Sequence, residues 1–269
     1  MKAKISIYFL LLIASFSAYA QSKSGAWKNK KCAVVLTYDD GLNVHLDNVI
    51  PLLDSLKFKG TFYVPGNSET LYKRLSDWRN AANEGHEIGN HTLFHGCIRS
   101  KGREWVKPYY DLNKYDLQQM IDELNVANTL LYAVDGKNKR SFAYACGDIV
   151  VDSTEIFMEK MKDKFVGART VEQKMQKINE IDVYYIGSFP VVNQSGDELV
   201  SWVKKAMDTN SLLVFLFHGV GGEHSLNVSL DAHRKLLKFL KQNEKDIWVA
   251  PFIDVCEYIK QYNVQGKGN

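Results

Sequence analysis

Short apolar runs alternate with amphipathic helical stretches along almost the whole chain, and this alternation restricts the fold to a parallel sheet flanked by helices. Runs with strand character fall at 33–38 (AVVLTY), 60–64 (GTFYV), 86–89 (HEIG), 141–145 (SFAYA), 165–168 (FVGA), 183–187 (VYYIG), 212–217 (LLVFLF) and 247–250 (IWVA). Between them, helical patterns occupy roughly 46–57, 70–84, 113–132, 152–163, 196–208 and 228–243. In the last, Leu230, Leu236, Leu237 and Leu240 share one side and lysines fill the rest. Eight strands in about 250 residues predict an α/β fold with a single closed or nearly closed barrel rather than two domains. No repeat, low-complexity tract or Pro/Gly/Ser linker interrupts 25–260.

A parallel sheet sends the C-terminal ends of its strands to one rim, where reactive groups of such folds collect. The residues that follow the expected strands are chemically loaded. Asp39-Asp40-Gly41 follows 33–38, and His91 and His95 follow 86–89. Cys146-Gly147-Asp148 follows 141–145, Arg169 follows 165–168, and His218-Gly219 follows 212–217. His91 and His95 are four residues apart, so one helical turn would put both imidazoles on one side. Two imidazoles and a carboxylate make a catalytic zinc set with a fourth position left for water, and cobalt, nickel or manganese suit the same donors. Such a cation also accounts for the adjacent aspartates. One carboxylate binds it, the charge offsets the repulsion, and the other acts as general base. A simple Asp-Gly turn needs only one Asp. His218, at a strand end, would supply the proton that a leaving group needs.

The N-terminus carries an export signal. Lys2 and Lys4 precede an apolar run, Ile7 to Phe16, that ends at Ala18-Tyr19-Ala20. This is the pattern of a signal peptide, residues 1–20, cleaved after Ala20; the run is short for a membrane span. The mature chain, 21–269, is then a single domain in the periplasm or outside the cell, with no stable membrane insertion. Removing the two lysines from the net charge of +3 leaves +1, which gives no electrostatic case for binding nucleic acid. The four cysteines, Cys32, Cys97, Cys146 and Cys256, contain no CxxC pair. A bridge between Cys97 and Cys146 and a set of buried thiols are both compatible with this pattern.

TYDDG, HTLFH, FAYACG and FLFHG, in that order over residues 37–219, resemble the motifs of the polysaccharide deacetylase (NodB-homology) family of carbohydrate esterases. The resemblance implies a deformed (β/α) barrel of seven or eight strands that removes N- or O-acetyl groups from sugars with one divalent metal, zinc first. By position, Asp39 corresponds to the family's base, Asp40, His91 and His95 to its metal ligands, and His218 to its acid. The third motif departs: the family shows Arg-x-Pro-x-Gly where this chain has Ala143-Tyr144-Ala145-Cys146-Gly147. The Cys146 backbone N–H would take the oxyanion-donor position, and Arg169 is the candidate to brace Asp39 in place of the missing arginine. The family's fourth motif has no match.

An acetylated glycan is the expected partner, with Tyr144 and Trp105 as candidate sugar-binding aromatics. Two other readings compete: a glycan-binding or scaffold protein with this fold and little turnover, and the same metal chemistry on a non-glycan amide or ester. The remaining histidines read mostly as bystanders: His45 near a helix cap, His86 structural, His224 exposed in a flexible glycine loop with substrate contact as the lesser alternative, His233 on a helix surface. Asp254 reads as exposed or capping, with orientation of His218 as the lesser alternative.

Overall fold

The computed structural model describes residues 25–266, so the segment read as a signal peptide lies outside the described residues. Strand β1 (Cys32–Asp39) is buried along its whole length. Its side chains alternate between two clusters. Cys32, Val34, Leu36 and Tyr38 pack with Leu53, Trp78, Leu199 and Leu236 from the surrounding helices. Ala33 and Val35 face Val214, Ile186 and, from the C-terminal helix Phe252–Gly266, Phe252 and Val255. A strand covered on both faces needs a continuous apolar run, and that is what AVVL supplies.

Seven more strands complete the sheet: β2 (Thr61–Val64), β3 (Glu87–Asn90), β4 (Ser141–Ala143), β5 (Gly167–Arg169), β6 (Phe189–Pro190), β7 (Leu212–Phe217) and β8 (Ile247–Val249). All their pairings are parallel, in the order β5-β4-β3-β2-β1-β7-β6, with β8 also on β1. β8 lies against Cys32–Val34 and β2 against Thr37–Asp39, so the two share one edge of β1. The ends of the sheet meet through residues 186–190. Ile186 bridges Arg169, with its N–H 3.0 Å from the Ala168 carbonyl, while Phe189 and Pro190 pair with Phe215 and Leu216. The expected α/β barrel of seven or eight strands is present, in a curled, deformed form.

Two expected elements differ. The strand expected at 183–187 is reduced to a single bridge at Ile186, because residues 182–185 turn: the Asp182 side chain accepts the Tyr184 N–H at 2.9 Å and its carbonyl accepts the Tyr185 N–H at 3.1 Å. The helix expected at 152–163 is instead a small hairpin, Val150–Val151 with Glu155–Ile156, followed by a short 3-10 turn at Phe157–Lys160. Asp152 and Ser153 adopt positive φ there (47° and 59°), which breaks helical geometry before it can propagate. The C-terminal helix, absent from the sequence reading, is seated by its first N–H groups. Phe252 donates to Thr61 Oγ1 at 2.8 Å and Ile253 to the buried Glu87 carboxyl at 2.9 Å.

His86 is fully buried, with Nδ1 accepting the Gly60 N–H at 3.0 Å and Nε2 3.1 Å from Asp54. His233 is also buried, contrary to its surface reading. It lies on the stripe of Leu236, Leu237 and Leu240, and its Nε2 is 2.9 Å from the Tyr38 hydroxyl. Burial pushes these imidazoles down to about 4 and about 3 from 6.5. The unfolded chain therefore binds protons near pH 6.5 that the folded chain refuses until far lower pH. Stability present above pH 6.5 is lost as the pH falls toward 4, by about 1.4 kcal/mol per pH unit for each such site. Urea midpoints measured from pH 7 to pH 4.5 are expected to fall accordingly, and His233→Gln, which keeps a partner for Tyr38 but does not titrate, is expected to flatten the slope.

Candidate active site

The ends of β1, β3, β4, β5 and β7 meet at one rim and bring Asp39, Asp40, His91, His95, Cys146, Arg169 and His218 together. Several of these turns use left-handed backbone: φ is 76° at Asp40, 64° at Thr92, 55° at His95 and 56° at Cys146. Asp and His tolerate this region better than most residues, but four such positions in one site require support. The support is a set of side chain–backbone bonds. Asn90 Oδ1 accepts the Thr92 N–H at 2.8 Å and Thr92 Oγ1 the His95 N–H at 2.7 Å. Buried Glu123 accepts the Leu93 and Phe94 N–H groups at 3.1 Å each. Gly41 (φ 61°) completes the turn after the aspartates, and a Cβ there would meet Val64 at 2.8 Å.

Asp40 Oδ1 lies 3.6 Å from His91 Nε2 and 3.4 Å from His95 Nε2, and one ligand atom from each residue falls within 4.8 Å of the others. Chemistry as well as distance suits a cation. His91 Nδ1 faces the Ala143 carbonyl at 2.9 Å, so it carries the ring proton and leaves the Nε2 lone pair turned toward Asp40. Burial pushes His91 down to about 4, which keeps it in the neutral form a ligand needs. Burial opposes the charged form of Asp40 as well, yet the imidazoles of His95, His91, His218 and His224 outweigh it and hold the carboxyl below its usual range. A second donor cluster, His95 with Cys97 and Cys146, offers no thiolate, because the two sulfurs are bonded to each other.

Asp39 borders the same cleft, its Oδ2 3.9 Å from His91 Nε2, but its direct partner lies in the barrel interior. The guanidinium of Arg169, itself fully buried, donates from Nη2 to Asp39 Oδ2. Arg169 is held in turn by Ser188 Oγ at 3.4 Å, which donates to the Thr170 carbonyl at 2.6 Å, and its guanidinium carbon lies 5.3 Å from the centre of the Tyr63 ring. The other oxygen, Asp39 Oδ1, is buried and has no hydrogen-bond partner among the described residues.

His218 follows β7. Its carbonyl accepts from His45 Nε2 at 2.8 Å, and His45 Nδ1 accepts the Leu42 N–H at 3.1 Å, so a buried imidazole ties the β1 turn to the β7 turn. A sequence reading cannot distinguish this from a cap, since only the tertiary partner separates the two. His218 Nε2 stands 3.9 Å from Asp40 Oδ2. His224, read first as exposed and second as a substrate contact, stands 3.8 Å from the same oxygen and stacks on His218 with ring centres 4.8 Å apart. The loop that carries it is anchored: Glu223 accepts from Asn43 Nδ2 at 2.7 Å and the Val44 N–H at 2.8 Å, and Gly221 donates to the Val228 carbonyl at 2.8 Å. The only signal available was the six-residue spacing from His218.

A cleft of about 270 Å³ opens over these groups, with Trp105, 60% exposed, on its wall. Tyr144 borders the cleft but is only 1% exposed, with its hydroxyl on the Tyr184 carbonyl, so it cannot offer a ring face to a sugar. Cys146 lies in the cleft wall and is bonded to Cys97, with Cα atoms 5.9 Å apart, which joins the His95 loop to the loop after β4. Asp254 lies far from His218, beside Gly85–Ile88 where β3 begins. Cys32 and Cys256 are buried free thiols. In denaturant, thiol titration is expected to count two groups before reduction and four after. The Cys97→Ser, Cys146→Ser double variant, which opens a loop with a sequence separation of 49, should lose roughly 4 kcal/mol of stability to urea.

A family model described as polysaccharide deacetylase matches residues 27–161. The chain is 32% identical over 113 residues to the peptidoglycan-N-acetylmuramic acid deacetylase PdaA of Bacillus subtilis, covering 40% of this chain and 35% of that protein. It is 25% identical over 270 residues to the gellan lyase of a Bacillus species, covering 92% of this chain and 10% of that protein. The chain thus spans between a tenth and about a third of the length of these curated relatives. A structure assigned as a polysaccharide deacetylase from Mycobacterium smegmatis superposes with a TM-score of 0.64 at 16% identity, over 89% of this chain and 94% of that one, and shares the fold. With its motifs at the strand ends of such a barrel, the chain belongs to the polysaccharide deacetylase family.

Proposed function

We propose that this protein is an exported hydrolase that removes acetyl groups from an N- or O-acetylated carbohydrate, using one divalent ion, zinc first, held by Asp40, His91 and His95. The observation that carries this reading is the division of labour between the two neighbouring aspartates: Asp40 faces both His91 and His95, and Asp39, beside His91, is braced by Arg169 with its other oxygen unpartnered. The ion, when bound, supplies Lewis acidity to the attacking water and the acyl carbonyl. Asp39 takes the proton of that water at Oδ1, while Arg169 fixes its Oδ2 and so its orientation. The backbone N–H of Cys146 donates to the oxygen that becomes negative as the carbonyl is attacked. His218 delivers a proton from Nε2 to the departing sugar nitrogen or oxygen. Trp105 offers the exposed ring on which a sugar can stack.

Export to the periplasm or beyond is supported by the Lys2/Lys4, apolar, Ala-x-Ala pattern of residues 1–20. The Cys97–Cys146 bond belongs to the same oxidising setting. Peptidoglycan appears in the name of the relative PdaA, so acetylated cell-wall fragments head the substrate panel.

Acetate release from acetylated sugars, xylan and peptidoglycan fragments tests the reading. Asp39→Asn is expected to lower kcat by ~10²–10⁴, and His218→Ala to lower it for substrates with poor leaving groups. His95→Ala should lose the metal by elemental analysis while keeping the wild-type circular dichroism spectrum. Equal acetate release by wild type and Asp39→Asn would remove Asp39 from its role, and a metal-free wild type with full activity would remove the ion.

A further inference from the structure

His224 carries its proton where His91 does not. In His91 the Nδ1–H donates to the Ala143 carbonyl and the Nε2 lone pair faces Asp40 Oδ1. In His224 the arrangement is reversed: Nδ1 accepts the Leu226 N–H at 3.0 Å, so the neutral ring holds its proton on Nε2, which faces Asp40 Oδ2 at 3.8 Å. A neutral imidazole that accepts at one nitrogen has no lone pair left at the other. His224 is therefore a standing hydrogen-bond donor at the rim and not a further metal ligand. At 3.8 Å its proton does not reach a hydrogen bond with Asp40, and the side chain is 29% exposed in the cleft.

The placement says what this donor meets. The Oδ1 side of Asp40, with His91 and His95, is where the acyl group and water belong. The Oδ2 side holds His218 and His224, stacked at 4.8 Å with 13° between their planes, so their Nε2 edges address neighbouring points of one substrate. Within the deacetylation reading, on which this rests, His218 meets the departing atom. The point beside it falls on the same sugar residue, whose substituents are oxygen acceptors.

We propose that His224 is a substrate-binding residue that donates its Nε2–H to a sugar oxygen next to the acetylated position, and so selects acylated sugars that present an acceptor there. The anchored loop supports the assignment: the Glu223 bonds to Asn43 and Val44 fix the ring's position before any substrate arrives.

The test uses the metal-loaded full-length mature protein and acetylated oligosaccharides from which single hydroxyls have been removed. His224→Ala is expected to raise KM ~5–10-fold, the loss of one hydrogen bond, and by more than it lowers kcat. His224→Gln, which keeps an N–H donor, should recover most of the loss. One deoxygenated substrate should cost the wild type the same factor and cost His224→Ala nothing further. Independently of turnover, a histidine-selective ¹⁵N spectrum should show His224 as the Nε2–H tautomer. A fall in kcat with KM unchanged, or additive losses for every deoxygenated substrate, overturns the inference. Wild type that releases no acetate from any sugar overturns the deacetylation reading itself, whereas full release with an unchanged KM in His224→Ala overturns this inference alone.

Discussion

Two adjacent carboxylates stand at the end of a strand that is buried throughout, and the rim is built around giving each its own cationic or imidazole partners. β-strand alternation sends Asp39 to the face of Ala33 and Val35, toward Arg169 in the barrel interior. The left-handed turn at Asp40 swings the next side chain out to the imidazoles. Had Asp40 continued as strand, its carboxyl would have entered the apolar cluster of Tyr38 and Leu36, where an unpaired charge is prohibitively costly. Local backbone strain and global electrostatics therefore have one origin, and the groups that relieve each other follow four different strands.

The supporting residues matter as much as those facing the cleft. Asn90, Thr92 and Glu123 spend their side-chain oxygens on the backbone N–H groups of Thr92, Leu93, Phe94 and His95, and so determine where the His91–His95 turn runs. His45 does the same for the backbone of His218. These are buried polar groups with complete partnerships, which bind a loop to one conformation more tightly than apolar packing could.

What the sequence made legible follows from periodicity and chain order. The strand ends at Asp39, His91, Arg169 and His218 could be placed because a parallel sheet collects them at one rim whatever its exact curvature. Arg169 was recoverable although it stands outside the family's usual motif, since any strand end can reach the centre of a barrel. The readings that differed depend on partners distant in sequence. His233 looks like a polar residue among lysines until the apolar stripe is counted through it, and nothing local tells that the His224 loop, anchored to Asn43 through Glu223, brings its ring beside Asp40. Tyr144 looks like a rim aromatic because nothing local reveals that its hydroxyl reaches Tyr184. At 152–163 apolar spacing suggested a helix, but the turn chemistry of Asp152 and Ser153 prevailed.

The closure of the barrel has a mechanical consequence. The ring is completed by a stretch only a few residues long, and Ser188, within that stretch, touches the guanidinium that holds Asp39. This seam is a short run of ladder, and it is joined directly to the side chain whose aim matters most. A breathing motion that parts the seam withdraws Ser188 from Arg169 and loosens Asp39 in the same event. Widening of the barrel is thereby coupled to misalignment of the rim.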